Sequence, residues 1–218
     1  MSSVDFFREN KYIVVRNLIP KEFTNVYYEY CKLQTLAIDW KSQNRPHLYN
    51  KMWDGRFDDP QCYGVFSKYG DHLMETTLLL KTNEVESLTG LNLLPNYAYW
   101  RLYEKGSVLK RHVDRASCEV SATINLGSNV SNIDKSVYPN FEWPIFVKTK
   151  EGQELPISLS PGDALIYRGC DIEHWREEFI GLNNAQVFFH WNEKGGEFDK
   201  LYDDRPLMGI NMKDNPNE

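Results

Sequence analysis

The chain has 218 residues, 41% of them hydrophobic and 14% aromatic, enough to bury a substantial core and within the span of one domain, 1–218. Its formal charge is −6, from 31 Asp and Glu against 25 Lys and Arg, which argues against broad affinity for phosphate backbones, so nucleic acid is not an expected partner. No apolar run reaches a bilayer span, Met1-Ser2-Ser3-Val4-Asp5 lacks a signal-peptide pattern, and Cys31, Cys62, Cys118 and Cys170 lack paired spacing; a cytoplasmic protein with reduced thiols and no membrane contact is expected.

Tyr12-Ile13-Val14-Val15 predicts a short strand closed by Asn17-Leu18-Ile19-Pro20. Pro20 suits the start of a helix in which Phe23, Val26, Tyr27, Tyr30 and Leu33 or Gln34 follow helical spacing, and that stripe is expected to pack into the core. Residues 39–64 show no sustained period and read as a long loop, which inside a compact domain is more often functional than merely connecting. Asp71 caps a second helix that runs to about Leu88-Thr89 and stops at Gly90.

From Leu93 the pattern turns to strands, at 96–103, 108–114, 118–126, 144–149, 155–159, 163–168, 172–177 and 185–191. Eight short strands after a helical part fit a mainly β, α+β architecture: a double-stranded β-helix, or jelly roll, with flanking N-terminal helices. The core is expected at about 93–192, helical support at 1–92, and a lid or frayed tail at 193–218, after Gly195-Gly196.

His112-Val113-Asp114, with His174 downstream in Gly169-Cys170-Asp171-Ile172-Glu173-His174-Trp175-Arg176, is the most informative pattern. Two imidazoles and one carboxylate match the set that holds non-haem Fe(II) on one face and leaves the other positions open. Residues i and i+2 of a strand share a face, so His112 and Asp114 suit one metal while Val113 points away. His-x-Asp alone is weak and more often marks surface polar residues; the flanks strengthen it. Along Cys118 to Leu126, Val120, Ala122, Ile124 and Leu126 share one face and Ser121, Thr123 and Asn125 the other. That polar face is either solvated or a source of donors to a buried acid.

Three segments carry a family likeness: Tyr-x-x-Gly-x-x-Leu-x-x-His-x-Asp at 103–114, Pro-Gly-Asp-Ala-Leu-Ile-Tyr at 161–167, and His174. Together they resemble the Fe(II)/2-oxoglutarate-dependent dioxygenases, which include the prolyl 4-hydroxylases and phytanoyl-CoA hydroxylase. The likeness covers roughly residues 10–195 and is nearest to a bacterial and viral branch. There the motifs continue as His-x-Asp-Arg-x-Ser-Cys-Glu-x-Ser, here 112–121, and Tyr-Arg-Gly-Cys-x-x-Glu-His-Trp-Arg, here 167–176. The resemblance implies the jelly roll, His112, Asp114 and His174 as Fe(II) ligands, and the cytoplasm of a bacterial or virus-infected cell. It also implies 2-oxoglutarate as cosubstrate, with ascorbate a candidate addition. The expected reaction converts 2-oxoglutarate to succinate and CO₂ while oxygen enters a C–H bond. Halogenating relatives have Gly or Ala where Asp114 stands, so hydroxylation is expected. The expected substrate is a peptidyl or free amino-acid side chain, ahead of another small molecule.

In that superfamily a buried Arg or Lys on the strand after the distal His holds the far carboxylate of 2-oxoglutarate. Here the window Asn183 to His190 contains neither residue. Arg176 is the expected replacement, on the same strand and side as His174, with Arg115 and Arg101 as rivals and His190 a poorer one; a rim salt bridge is the bland alternative for each Arg. Tyr103, Thr123 and Asn125 are further candidates to hold the cosubstrate. A cupin-like barrel, using Glu119, would want a second His where Asp114 stands, and a metal-free jelly-roll module would need none of these ligands.

Overall fold

The computed structural model describes residues 1–199; the segment from 200 to 218, most of the expected lid or tail, lies outside the described residues. Helix α1 (Ser3–Asn10) is an addition to the expected elements. Its signal is short: the Ser2 hydroxyl accepts the Asp5 N–H at one end, and Lys11 closes the other in a left-handed turn. β1 (Tyr12–Val15) and α2 (Lys21–Asn44) follow.

The face that α2 buries differs from the expected one. Phe23, Val26 and Leu33 are exposed, while Thr24, Cys31, Thr35 and Ile38 face inward with Tyr27 and Tyr30 partly buried. Small residues allow the close approach. The Thr24 and Thr35 hydroxyls donate to Lys21 and Cys31 carbonyls of their own helix, so burying them leaves no orphan polar group. On the sheet beneath, a methyl at Gly127 would meet the Tyr28 ring at 2.9 Å.

Residues 39–64 are more regular than expected: α2 extends to Asn44, a 3₁₀ turn spans Pro46–Leu48, and α3 covers Lys51–Asp54. β2 (Phe66–Tyr69) is a further unexpected element, and α4 (His72–Thr89) has the expected Asp71 cap and Gly90 stop. The strands then run β3 (Leu93–Glu104), β4 (Leu109–His112), β5 (Val120–Asn129), β6 (Ile145–Lys148), β7 (Glu154–Ile157), β8 (Ala164–Arg168), β9 (His174–Arg176) and β10 (Asn183–Glu193).

These strands form two antiparallel sheets, ordered β1-β8-β5-β10-β3-β2 and β4-β9-β6-β7, the expected jelly roll. Alternation along the long central strands divides the large sheet into two different faces. Ala98, Trp100, Val120, Ala122, Ile124, Val187 and Phe189 join Met74, Leu78 and Val85 of α4 in the main core. The opposite face carries Tyr97, Tyr99, Arg101 and Tyr103 on β3, Ser121 and Thr123 on β5, and Gln186, Phe188 and His190 on β10. A buried polar face is costly unless its groups are paired, so this face marks where chemistry is concentrated. No helix among the described residues is long and apolar enough to cross a membrane.

Candidate metal centre

β4 and β9 lie side by side in the small sheet, with His112 opposite His174 and Leu109 opposite Arg176. Asp114 falls just beyond the end of β4 and is not part of that strand, a departure from the expected single-strand grip. Its N–H donates to the Gly169 carbonyl at 2.8 Å, which returns the carboxylate to the imidazoles. Only glycine fits opposite. A methyl at Gly169 would sit 2.2 Å from the Cys118 carbonyl oxygen and 2.6 Å from Asp114 Oδ2.

Nε2 of His112 and Nε2 of His174 each lie 3.7 Å from Asp114 Oδ1, and one ligand atom from each residue falls within 4.8 Å of the others. Nδ1 of His112 is 2.7 Å from the Lys110 carbonyl, and Nδ1 of His174 is 2.9 Å from that of Ile172. A carbonyl only accepts, so each Nδ1 carries the proton and each Nε2 keeps a lone pair suited to a metal, that of His174 lying 3.2 Å from the Tyr167 hydroxyl. Burial, then the neighbouring His174, holds the His112 pKa below its usual value, and burial lowers that of His174 to about 4. Burial raises Asp114 to about 6. Neutral imidazoles beside a buried carboxylate suit a divalent ion, whose charge would favour the ionised acid. The Ser121 hydroxyl donates to Asp114 Oδ2 at 2.7 Å and stands 2.9 Å from His190 Nδ1.

Arg176 is completely buried. Nη1 donates to the Trp143 carbonyl at 2.9 Å and Nη2 to Gln186 Oε1 at 3.3 Å, the Trp143 ring lies 4.8 Å away, and Nε has no partner. Among the described residues no carboxylate pairs with it, so the rim salt bridge is absent. Burial alone pushes its pKa down to about 10. An orphaned donor on a buried guanidinium is a place for an anion. Tyr103, fully buried, accepts from Arg101 at 3.4 Å, and the Thr123 hydroxyl lies 3.5 Å from Gln186 Oε1.

Two candidates are occupied elsewhere. Asn125 donates to the Leu159 carbonyl and accepts from the Gly127 N–H, so its amide serves a strand bend. Arg115 donates to the Tyr97 hydroxyl at 3.2 Å with its guanidinium over that ring. The rival Arg101 is committed to Asp59 and Gln61, both at 2.7 Å. His190 is neutral, its pKa lowered to about 3 by burial and then by Arg115. Gln186, Trp143 and Asp59 went unread in the sequence; Gln186 holds the window where relatives carry a cation, and only its register opposite β5 could have flagged it.

A cavity of about 820 Å³ opens over the three candidate ligands, walled by Tyr97, Tyr99 and Phe188 and roofed by residues from 50–61. That segment, read from sequence as a loop with a function, therefore borders the candidate site.

No family model matches the chain, and no curated protein matches it by sequence. Its structure is similar to that of a prolyl-4-hydroxylase from Pseudomonas putida, with a TM-score of 0.63 and 12% identity over 88% of this chain and 98% of that one. HygX from Streptomyces hygroscopicus, solved with nickel, 2-oxoglutarate and hygromycin B bound, gives 0.61 and 10% over 88% and 86%. The non-haem α-ketoglutarate-dependent epimerase SnoN of nogalamycin biosynthesis gives 0.59 and 11% over 93% and 88%. The chain therefore has the jelly-roll fold of the Fe(II)- and 2-oxoglutarate-dependent oxygenases.

Proposed function

We propose that this protein is an Fe(II)- and 2-oxoglutarate-dependent dioxygenase, a hydroxylase acting on a peptidyl or free amino-acid side chain. The observation that carries the reading is Arg176: a guanidinium buried without a carboxylate among the described residues, two residues beyond His174, with an unpartnered Nε. His112, Asp114 and His174 would hold the metal. When bound, iron and 2-oxoglutarate supply the oxidising chemistry, with succinate and CO₂ as coproducts. Arg176 would hold the far carboxylate, with Tyr103 and Thr123 beside it, and Gln186 would orient the guanidinium through its amide oxygen. Ser121 keeps the second Asp114 oxygen turned from the imidazoles. Neighbours with this fold include both a hydroxylase and an epimerase, so the reaction type rests on the site. Asp114 occupies the carboxylate position, which favours hydroxylation. Ascorbate is expected to sustain turnover, and four unpaired cysteines suit a reducing, cytoplasmic setting.

The test is anaerobic titration of Fe(II) and then 2-oxoglutarate, followed by the metal-to-ligand charge-transfer absorption, with succinate measured once oxygen is admitted. One iron per chain, a saturating charge-transfer band and succinate formation are expected, and His174→Ala should lose all three. A band of full intensity in His174→Ala, or no 2-oxoglutarate binding by the parent protein, overturns the reading.

A further inference from the structure

Helix α2 carries two apolar faces, and the sheet takes only one of them. Thr24, Cys31, Thr35 and Ile38 turn inward, yet Phe23, Val26, Tyr30, Leu33, Ala37 and Trp40 recur at steps of three, four, three, four and three. That alternation is the seam of a helix pair, because every seventh residue returns to the same side of the helix. Here the seam looks outward. Phe23, Val26, Leu33 and Trp40 are 56, 60, 66 and 57% exposed, Ala37 is exposed too, and only Tyr30 is partly buried. Leu36, at 67%, borders the seam beside Ala37, and nothing covers this face among the described residues.

α4 extends the surface. The Tyr30 hydroxyl donates to Asp71 and the Tyr27 hydroxyl bonds that of Thr77, so α4 runs antiparallel beside α2. Leu80, one turn beyond Thr77 and 75% exposed, therefore lies toward the Phe23 end. At these exposures Phe23, Val26, Leu33, Leu36, Trp40 and Leu80 leave roughly 800 Å² in water, above the ~300–600 Å² of the largest apolar patch on an ordinary monomer. Each partner in a standard-size protein interface contributes about 800 Å².

We infer that α2 pairs with α2 of a second copy of this chain, antiparallel, about a twofold axis at the level of residues 31 and 32. A twofold contact requires a surface complementary to itself, and this one is. Turned about that axis, the seam sets Phe23 against Trp40, Val26 against Ala37 and Tyr30 against Leu33, so large meets large at the ends and branched Val26 meets the smallest member. The charges agree: Glu22 falls opposite Lys41, which also holds Asp54 at 2.7 Å, Glu29 falls opposite Gln34, and no like charges are opposed along the helix. A parallel copy would instead set Glu22 against Glu22 and Glu29 against Glu29.

Sedimentation equilibrium of the full chain tests this. The mass of a dimer is expected at ~50 µM, since interfaces of this size bind at micromolar affinity or tighter. Leu33→Glu places a charge at the centre of the seam and outside the core, so it should weaken dimerisation at least 100-fold while the far-ultraviolet circular dichroism stays that of the parent. Register is read with cysteines. Val26→Cys combined with Ala37→Cys should give a disulfide-linked dimer under mild oxidation, because the two positions face each other across the axis. Either substitution alone should cross-link no more than the parent, whose partly exposed Cys170 serves as the control. Should Leu33→Glu fold poorly, the cysteine pair carries the test. A monomer at that concentration, a folded Leu33→Glu that still dimerises fully, no linked dimer from the cysteine pair, or single variants that link as well as the pair would each overturn the inference.

Discussion

Glu75 lies in the first turn of α4, is only 5% exposed, and has one satisfied oxygen: Oε1 accepts the Ala98 N–H at 2.8 Å, and Oε2 has no partner. Burial raises its pKa from 4.5 to about 7; the bond from Ala98 works against the rise, and the nearby Asp71 charge adds to it. For an acid whose folded pKa is raised, the native state holds more protons than the unfolded chain between the two values. Stability therefore falls as pH rises from 4.5 to about 7, and the whole penalty is present above that. At about 1.4 kcal/mol per pH unit, the interval corresponds to roughly 3 kcal/mol. Glu75→Gln keeps the shape and an acceptor for Ala98 but cannot ionise. A carboxylate in a first turn also gains about 0.3–1 kcal/mol from the helix dipole, which glutamine forgoes, so a net gain of about 2 kcal/mol is expected at pH 8. At pH 4 the gain should vanish. Urea unfolding of both proteins at pH 4, 6 and 8 measures it, provided the slopes agree so that midpoints report stability. A variant no more stable at pH 8, or a gain equal at pH 4 and pH 8, would refute the argument.

Arg176→Ala should weaken 2-oxoglutarate binding by about 10- to 150-fold, the loss of charge-assisted hydrogen bonds worth roughly 1.5–3 kcal/mol, while iron binding survives. Titration of the charge-transfer band reads this, and a shift in Arg101→Ala with none in Arg176→Ala would move the clamp. Ser121→Ala removes the donor to Asp114 Oδ2 and should cost about 10- to 100-fold in metal affinity, measured by competition with a chelator. Gly169→Ala forces a methyl to within 2.2 Å of the Cys118 carbonyl; overpacking of that kind should destabilise by about 1–3 kcal/mol and impair metal binding together, seen as a lowered unfolding midpoint with reduced iron content.

Local signals carried far. The Asp71 cap and Gly90 stop bounded α4, period-two alternation located the strands from β3 to β10, and His112, Asp114 and His174 stood out because a metal needs those donor types. Ser121 and Thr123 could be assigned to one face of β5 from alternation alone. What that face looks toward was decided by pairing. Register with β10 set Ser121 opposite His190, and it set Asn125, one step past Thr123, where a bend claims its amide. Helical spacing likewise marked apolar residues on α2, but the sheet beneath accepted its threonines and Cys31, leaving Phe23, Val26 and Leu33 outside. The roles of the arginines were the least legible. A guanidinium in sequence looks the same whether Asp59 neutralises it, as for Arg101, or whether it is buried with no carboxylate among the described residues, as for Arg176. Spacing along a chain records which side chains share a face, whereas charge pairing depends on what the other sheet and the 50–61 segment bring within a few ångströms, and that is a property of the tertiary structure.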